Sequence, residues 1–206
     1  METLNKLIIE WGSASLPLAG EVVSGDKHLV KVLPHGALLA AMDGLGHGEE
    51  AAAAANRVAR VLQAADNESL ISLLKRCHER LRSTRGVVIS LAAFNAVDET
   101  MTWVGVGNVE GVLLRADPTV DPRYESLLLR SGVVGSRLPL LHASIVPVMR
   151  GDTLILATDG VRREFTERLV LGAGPQQLAD KILGRYAKRT DDALVLVARY
   201  VGDAPG

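Results

Sequence analysis

At 206 residues with 48% hydrophobic content, the chain is long enough to bury one sizeable core. Aromatics make up only 3%, so that core must be built from aliphatic side chains in close layers, and a net charge of −1 gives no basic field for nucleic acid. One cysteine excludes an internal disulfide and fits a reducing cytosol, and no apolar run reaches the roughly 18 residues of a membrane span.

Residues 1–13 lack the charged leader and long apolar stretch of a signal peptide, so a cytoplasmic protein is expected. Residues 4–11 read as a strand, apolar and β-branched at the centre, followed by a Gly- and Pro-containing connector over 12–25. Residues 27–33 and 37–42 read as strands joined by the turn Pro34-His35-Gly36. Two helices follow, at 47–65 and 67–83: the first opens on acids that suit a helix N-terminus, and the second carries Leu70, Ile71, Leu74, Cys77 and Leu81 on one stripe. Strands are expected at 86–97 and 101–106 as a hairpin, then at 109–115, 124–129, 144–148 and 153–158. Residues 132–141 read as irregular, 175–188 as a helix and 193–201 as a last strand, with a frayed tail beyond 201. Elements grouped β, α, β, α, β argue for α+β layers rather than a doubly wound parallel sheet. No linker, repeat or low-complexity tract divides the chain, so residues 1–206 are expected to form a single domain.

Four strand ends carry carboxylates. If the hairpin turn is centred between Pro34 and His35, Asp26 and Asp43 face each other across neighbouring strands, with Cβ atoms about 5 Å apart. Like charges so placed destabilise a sheet unless something lies between them, and a hard divalent cation is the natural candidate. Asp159 follows the apolar strand 154–158 and precedes a glycine; Asp191 and Asp192 immediately precede the strand at 193. Any one Asp-Gly pair alone reads as a turn, but the set suggests a two-metal site built from oxygen ligands.

The segments VSGD at 23–26, MDGLGHG at 42–48, VGNVEGVLL at 106–114, LILATDGV at 154–161 and DDALVLVARY at 191–200 resemble, in family order, the metal-dependent PPM-type serine/threonine phosphatases, specifically the SpoIIE-like bacterial branch. The resemblance covers nearly the whole chain. It implies a four-layer α-β-β-α sandwich, two antiparallel sheets flanked by helices. It also implies a site: Asp43 bridging two Mn²⁺ or Mg²⁺ ions, the Gly44 carbonyl and Asp26 on one side, Asp159 and Asp191 on the other, and water as the nucleophile. Asp191 is chosen as ligand over Asp192, which is expected to support it.

The same resemblance implies phosphorylated STAS-domain proteins of the stressosome as partners, because no sensor domain is evident, and a monomer free of nucleic acid and membrane. Two alternatives stay open: a phosphatase of an anti-anti-sigma factor, and a PPM-fold binding module of little activity. The family's common histidine two residues after the bridging aspartate is Leu45 here, so no general-acid role passes to His47, two further on. Arg162 and Arg163 are either phosphate contacts or a solvated helix start. Cys77 sits in no nucleophile context, and His28, His35, His78 and His142 lack metal-ligand spacing. Trp11 and Trp103 read as edge or core packing.

Overall fold

The computed structural model describes residues 8–66, 68–168 and 172–202. Eleven strands are defined among them. The first three are β1 (Ile9–Leu16), β2 (Asp26–Leu33) and β3 (Gly36–Gly44). Then come β4 (Val87–Asn95), β5 (Thr100–Val106), β6 (Glu110–Leu114), β7 (Tyr124–Ser126) and β8 (Leu129–Arg130). The last three are β9 (Ser144–Pro147), β10 (Thr153–Ala157) and β11 (Ala193–Tyr200). The helices are α1 (Gly48–Gln63), α2 (Leu70–Leu81) and α3 (Pro175–Tyr186), with a short 3-10 helix at Arg163–Arg168.

The strands form two sheets, one ordered β1-β11-β10-β6-β7 and the other β2-β3-β4-β5-β8, with β9 also on β5. Leu39 and Phe94 from one sheet meet Leu113, Leu156, Leu196 and Tyr200 from the other in the central core. The Phe94 and Tyr200 rings stack there at 5.7 Å between centroids. A second core joins α1 and α2 to the outer face of the β2–β5 sheet, through Ala55, Val58, Leu62, Leu74 and Cys77. A third joins Leu178, Ala179 and Ile182 of α3 to Ile155, Val195 and Val197. The order α, β, β, α is the expected four-layer α+β sandwich. Small residues make this possible: α1 buries Ala51, Ala52, Ala54 and Ala55 and so lies close against β2 and β3.

Three expectations need correction. Residues 12–16 are strand, not connector: Gly12, Ser13, Ala14 and Ser15 have weak β preference, but pairing from Ile9↔Tyr200 to Leu16↔Ala193 carries them. The part of the expected first strand at residues 4–7 lies outside the described residues, as do residue 67 of the expected second helix and the tail beyond 202. Residues 124–129 do not form one strand. The chain leaves β6 after β7, buries Leu127 between the sheets, and joins the other sheet as β8. That last pairing, β5 with β8, is parallel, so the second sheet is not wholly antiparallel.

Away from the carboxylate rim, Arg115 is held in a buried ionic knot that sequence reading missed. Its Nη1 donates to Asp152 at 2.8 Å and to the Pro147 carbonyl at 2.7 Å, and its Nη2 pairs with Glu125. Asp152 is 1% exposed and also accepts from the backbone N–H groups of Ala116 and Met149.

Candidate active site

The β2–β3 hairpin has the register expected from its turn, and Asp26 is paired directly with Asp43. Both charges therefore stand at the end of the hairpin remote from Pro34 and His35. The chain then breaks into the glycine loop, where Gly46 (φ 93°) and Gly48 (φ 72°) adopt left-handed backbone that side chains disfavour. β10 and β11 are antiparallel neighbours with Ala157 opposite Val195, so Asp159, leaving β10, and Asp191, entering β11, emerge at one edge. A Cβ on Gly160 would lie 1.8 Å from the Asp192 carbonyl, so only glycine lets these two segments approach.

The two rims meet in a cleft of about 540 Å³ lined by Asp43, Asp159, Asp191 and Asn108, with Leu45 and His47 among its walls. Asp26 lies behind, 5% exposed. Its Oδ2 accepts a 2.6 Å hydrogen bond from the Thr158 hydroxyl, which itself accepts from the Leu194 N–H at 2.8 Å. Its Oδ1 is buried with no hydrogen-bond partner. Asn108 donates to Asp159 Oδ2 at 2.7 Å. Asp192 is 3% exposed and both its oxygens accept backbone N–H bonds at 2.8 Å, from Leu18 and Gly25. It is therefore committed to anchoring the segment before β2, while Asp191, whose Oδ1 accepts from the Asp192 N–H, lines the cleft.

Burial, then the neighbouring Asp43, with smaller contributions from Asp192 and Asp159, pushes the Asp26 carboxyl up to about 8 against the bond from Thr158. Burial together with Asp159, Asp191 and Asp192 pushes Asp43 up to about 7. Burial and Asp191 also raise Asp159, partly opposed by Lys188 and Asn108. Raised carboxyls gathered in a cleft mark a candidate functional site. The donor set is all oxygen and anionic, and one buried acceptor atom is unpaired, which suits a hard divalent cation. Among the described residues, no group of three or more His, Cys, Asp or Glu side chains stands in metal-holding geometry.

Other candidates fall away. His47 caps α1 by position but makes no side-chain cap, and its Nδ1 is 2.7 Å from Glu21. Arg163 pairs with Glu110 and Arg162 donates to the Arg185 carbonyl, so both are engaged away from the cleft lining. Burial raises the Cys77 thiol to about 12, which removes it as a nucleophile. His78 accepts from the Gly135 N–H; Trp103 is buried, and Trp11 lies on edge strand β1 against His28. Sequence reading missed Thr158 and Asn108, although both lie inside the segments that carried the resemblance.

The architecture, two face-to-face sheets with helices outside and a carboxylate cleft at one rim, is that of the PP2C-type protein-serine/threonine phosphatases. A chain holding the PP2C phosphatase domain and a fragment of the regulatory domain of SpoIIE from Bacillus subtilis superposes with a TM-score of 0.73 at 20% identity, over 95% of this chain and 64% of that one. The family model for Stage II sporulation protein E (SpoIIE) matches residues 34–201, and the chain belongs to that family. Phosphoserine phosphatase RsbX of Bacillus subtilis (strain 168) is 22% identical over 181 residues, 87% of this chain and 89% of its own length. The crystal structure of RsbX in complex with magnesium superposes with a TM-score of 0.83 at 21% identity, over 93% of this chain and 94% of that one. A chain from a structure described as "The bacterial stressosome: a modular system that has been adapted to control secondary messenger signaling" gives 0.83 at 28% identity, over 93% and 99%.

Proposed function

We propose that this chain hydrolyses phosphoserine or phosphothreonine on STAS-domain proteins of a stressosome, using Mg²⁺ or Mn²⁺ held by Asp26, Asp43, the Gly44 carbonyl, Asp159 and Asp191. The observation that carries it is the coupling of Asp26, Asp43 and Asp159 at one rim, with raised carboxyls and an unpaired Asp26 oxygen. When bound, divalent ions supply activation of water near neutral pH and compensation of phosphoryl charge. Thr158 fixes the Asp26 carboxylate, so that its other oxygen is left to serve as a ligand. Asn108 orients Asp159 in the same way, and Asp192 holds the backbone of Leu18 and Gly25 beside the cleft. Such supporting hydrogen bonds set ligand geometry and basicity.

Similarity over nearly full length to RsbX and to a chain from the stressosome structure supports the substrate class, and a single buried, unpaired thiol fits a reducing compartment. The test is phosphate release from purified phosphorylated STAS proteins of a stressosome and from an anti-anti-sigma factor, compared side by side. Faster turnover of the anti-anti-sigma factor would reassign the substrate.

A second reading, a binding module that keeps the fold, draws on the absence of a tight three-ligand cluster among the described residues. Hydrolysis of p-nitrophenyl phosphate with Mn²⁺ or with EDTA separates the two. Equal background rates would leave the binding module.

A further inference from the structure

The outer surface of α1 and α2 carries a concentration of positive charge unrelated to the carboxylate cleft. Arg57 and Arg60 project from α1 and Arg76 and Arg80 from α2 into one groove of about 390 Å³, completed by Val61 and Ala64. The groove shares no lining residue with the cleft. Arg57 lies nine residues beyond Gly48, a rise of roughly 14 Å along α1 from the glycine loop.

The charge there is largely uncompensated. Among the described residues one ion pair reaches this set of four guanidiniums, Glu68 with Arg76 Nη1 at 2.6 Å. Arg57 makes only long contacts, 3.4 Å to the Arg80 carbonyl and 3.4 Å to the Ser83 hydroxyl. Arg76 donates to the Val61 carbonyl at 3.2 Å, and its Nε is buried with no acceptor. Like charges at the 57/60 and 76/80 spacings oppose helix formation. The net charge of the whole chain is −1, so this patch is a local feature and not a basic protein's general surface.

We propose that this groove binds a phosphate group. Guanidiniums are planar forks that match phosphate oxygens two at a time, which ammonium groups do not. Each helix contributes its pair over about one turn, roughly 5 Å, a compact frame for one or two phosphate groups and too short for an extended acidic segment. No aromatic side chain lines it, so it offers no stacking surface for a base. The phosphate comes either from a free anion or from a phosphorylated side chain of a protein partner.

The test is calorimetric titration of the full chain in EDTA, where the carboxylate cleft repels anions, with inorganic pyrophosphate and separately with a phosphoserine peptide. The expected result is saturable binding of one equivalent of at least one probe. That binding weakens at least about tenfold in the Arg57→Gln/Arg80→Gln variant and is unchanged in Asp43→Asn. Tighter binding of pyrophosphate assigns a free anion, and tighter binding of the peptide assigns a partner's side chain. Arg60→Gln, at an exposed position in the last turn of α1, also weakens binding while leaving the Arg57 contacts to Arg80 and Ser83 in place. Failure of both probes to saturate overturns the proposal. So does unaltered affinity in both arginine variants, or binding that tightens in Asp43→Asn, the mark of an anion held in the carboxylate cleft.

Discussion

Replacing Asp43 by asparagine removes the carboxylate that pairs with Asp26 while keeping the side chain's shape. Burial and three neighbouring aspartates raise Asp43 from 3.8 to about 7. One pKa unit is about 1.4 kcal/mol, so the folded protein carries up to about 4 kcal/mol of opposition to the ionised form, and sharing of protons with Asp26 leaves about 2–4 kcal/mol. A carboxyl whose folded pKa exceeds its unfolded value binds its proton more tightly when folded. The metal-free fold therefore loses stability as pH rises from about 4 to about 8. Asparagine does not ionise. In EDTA, Asp43→Asn should be more stable than the wild type by about 2–4 kcal/mol at pH about 8, with the difference vanishing near pH about 4. Urea unfolding followed by circular dichroism across that range measures it. Saturating Mg²⁺ should reverse the order, because only the wild type gains full binding energy from the ion. A variant less stable than wild type at the upper pH in EDTA, or a difference independent of pH, would refute the reasoning.

Thr158→Val removes the donor to Asp26 and strands the Leu194 N–H; it should cost about 1–3 kcal/mol of stability and weaken divalent-ion affinity about 10–100-fold. Mn²⁺ titration checks this, and unaltered affinity would mean that Thr158 does not orient a ligand. Asp152→Ala leaves Arg115 without its most buried partner and should destabilise by about 3–5 kcal/mol in chemical denaturation, with turnover per folded molecule retained. Because Asp26 and Asp43 hold protons up to about 8 and about 7, divalent-ion affinity should rise with pH through that interval and binding should release protons. Calorimetry in buffers of different ionisation enthalpy reads that release directly, and none at pH about 7 would contradict the coupling.

The rim of the site was legible because its parts are local. Pro34-His35-Gly36 pins the hairpin register, and that register alone brings Asp26 against Asp43. Asp159 and Asp191 were legible as breaks at the ends of apolar strands, but their meeting with the hairpin depends on how two sheets pack, and the resemblance supplied that. The choice of Asp191 over Asp192 also came from the resemblance; in the structure Asp192 is occupied by two backbone bonds, which no local pattern in the sequence displays. Thr158 was hidden because its partner is 132 positions away and it reads as one more β-branched strand residue. β1 beyond Trp11 was hidden because Gly12, Ser13 and Ser15 owe their strand conformation to β11 and not to their own preference. The break between β7 and β8 has the same origin: Leu127 is drawn between the sheets by a core that local pattern does not display.

The central claim is that carboxylates distant in sequence close on divalent cations at this rim. Crystals grown with saturating Mn²⁺ and measured at the manganese absorption edge locate the ions without reference to activity. Two anomalous peaks are expected, one against Asp26, Asp43 and the Gly44 carbonyl and one against Asp43, Asp159 and Asp191. No peak in the cleft, or manganese held by other side chains, would contradict the account.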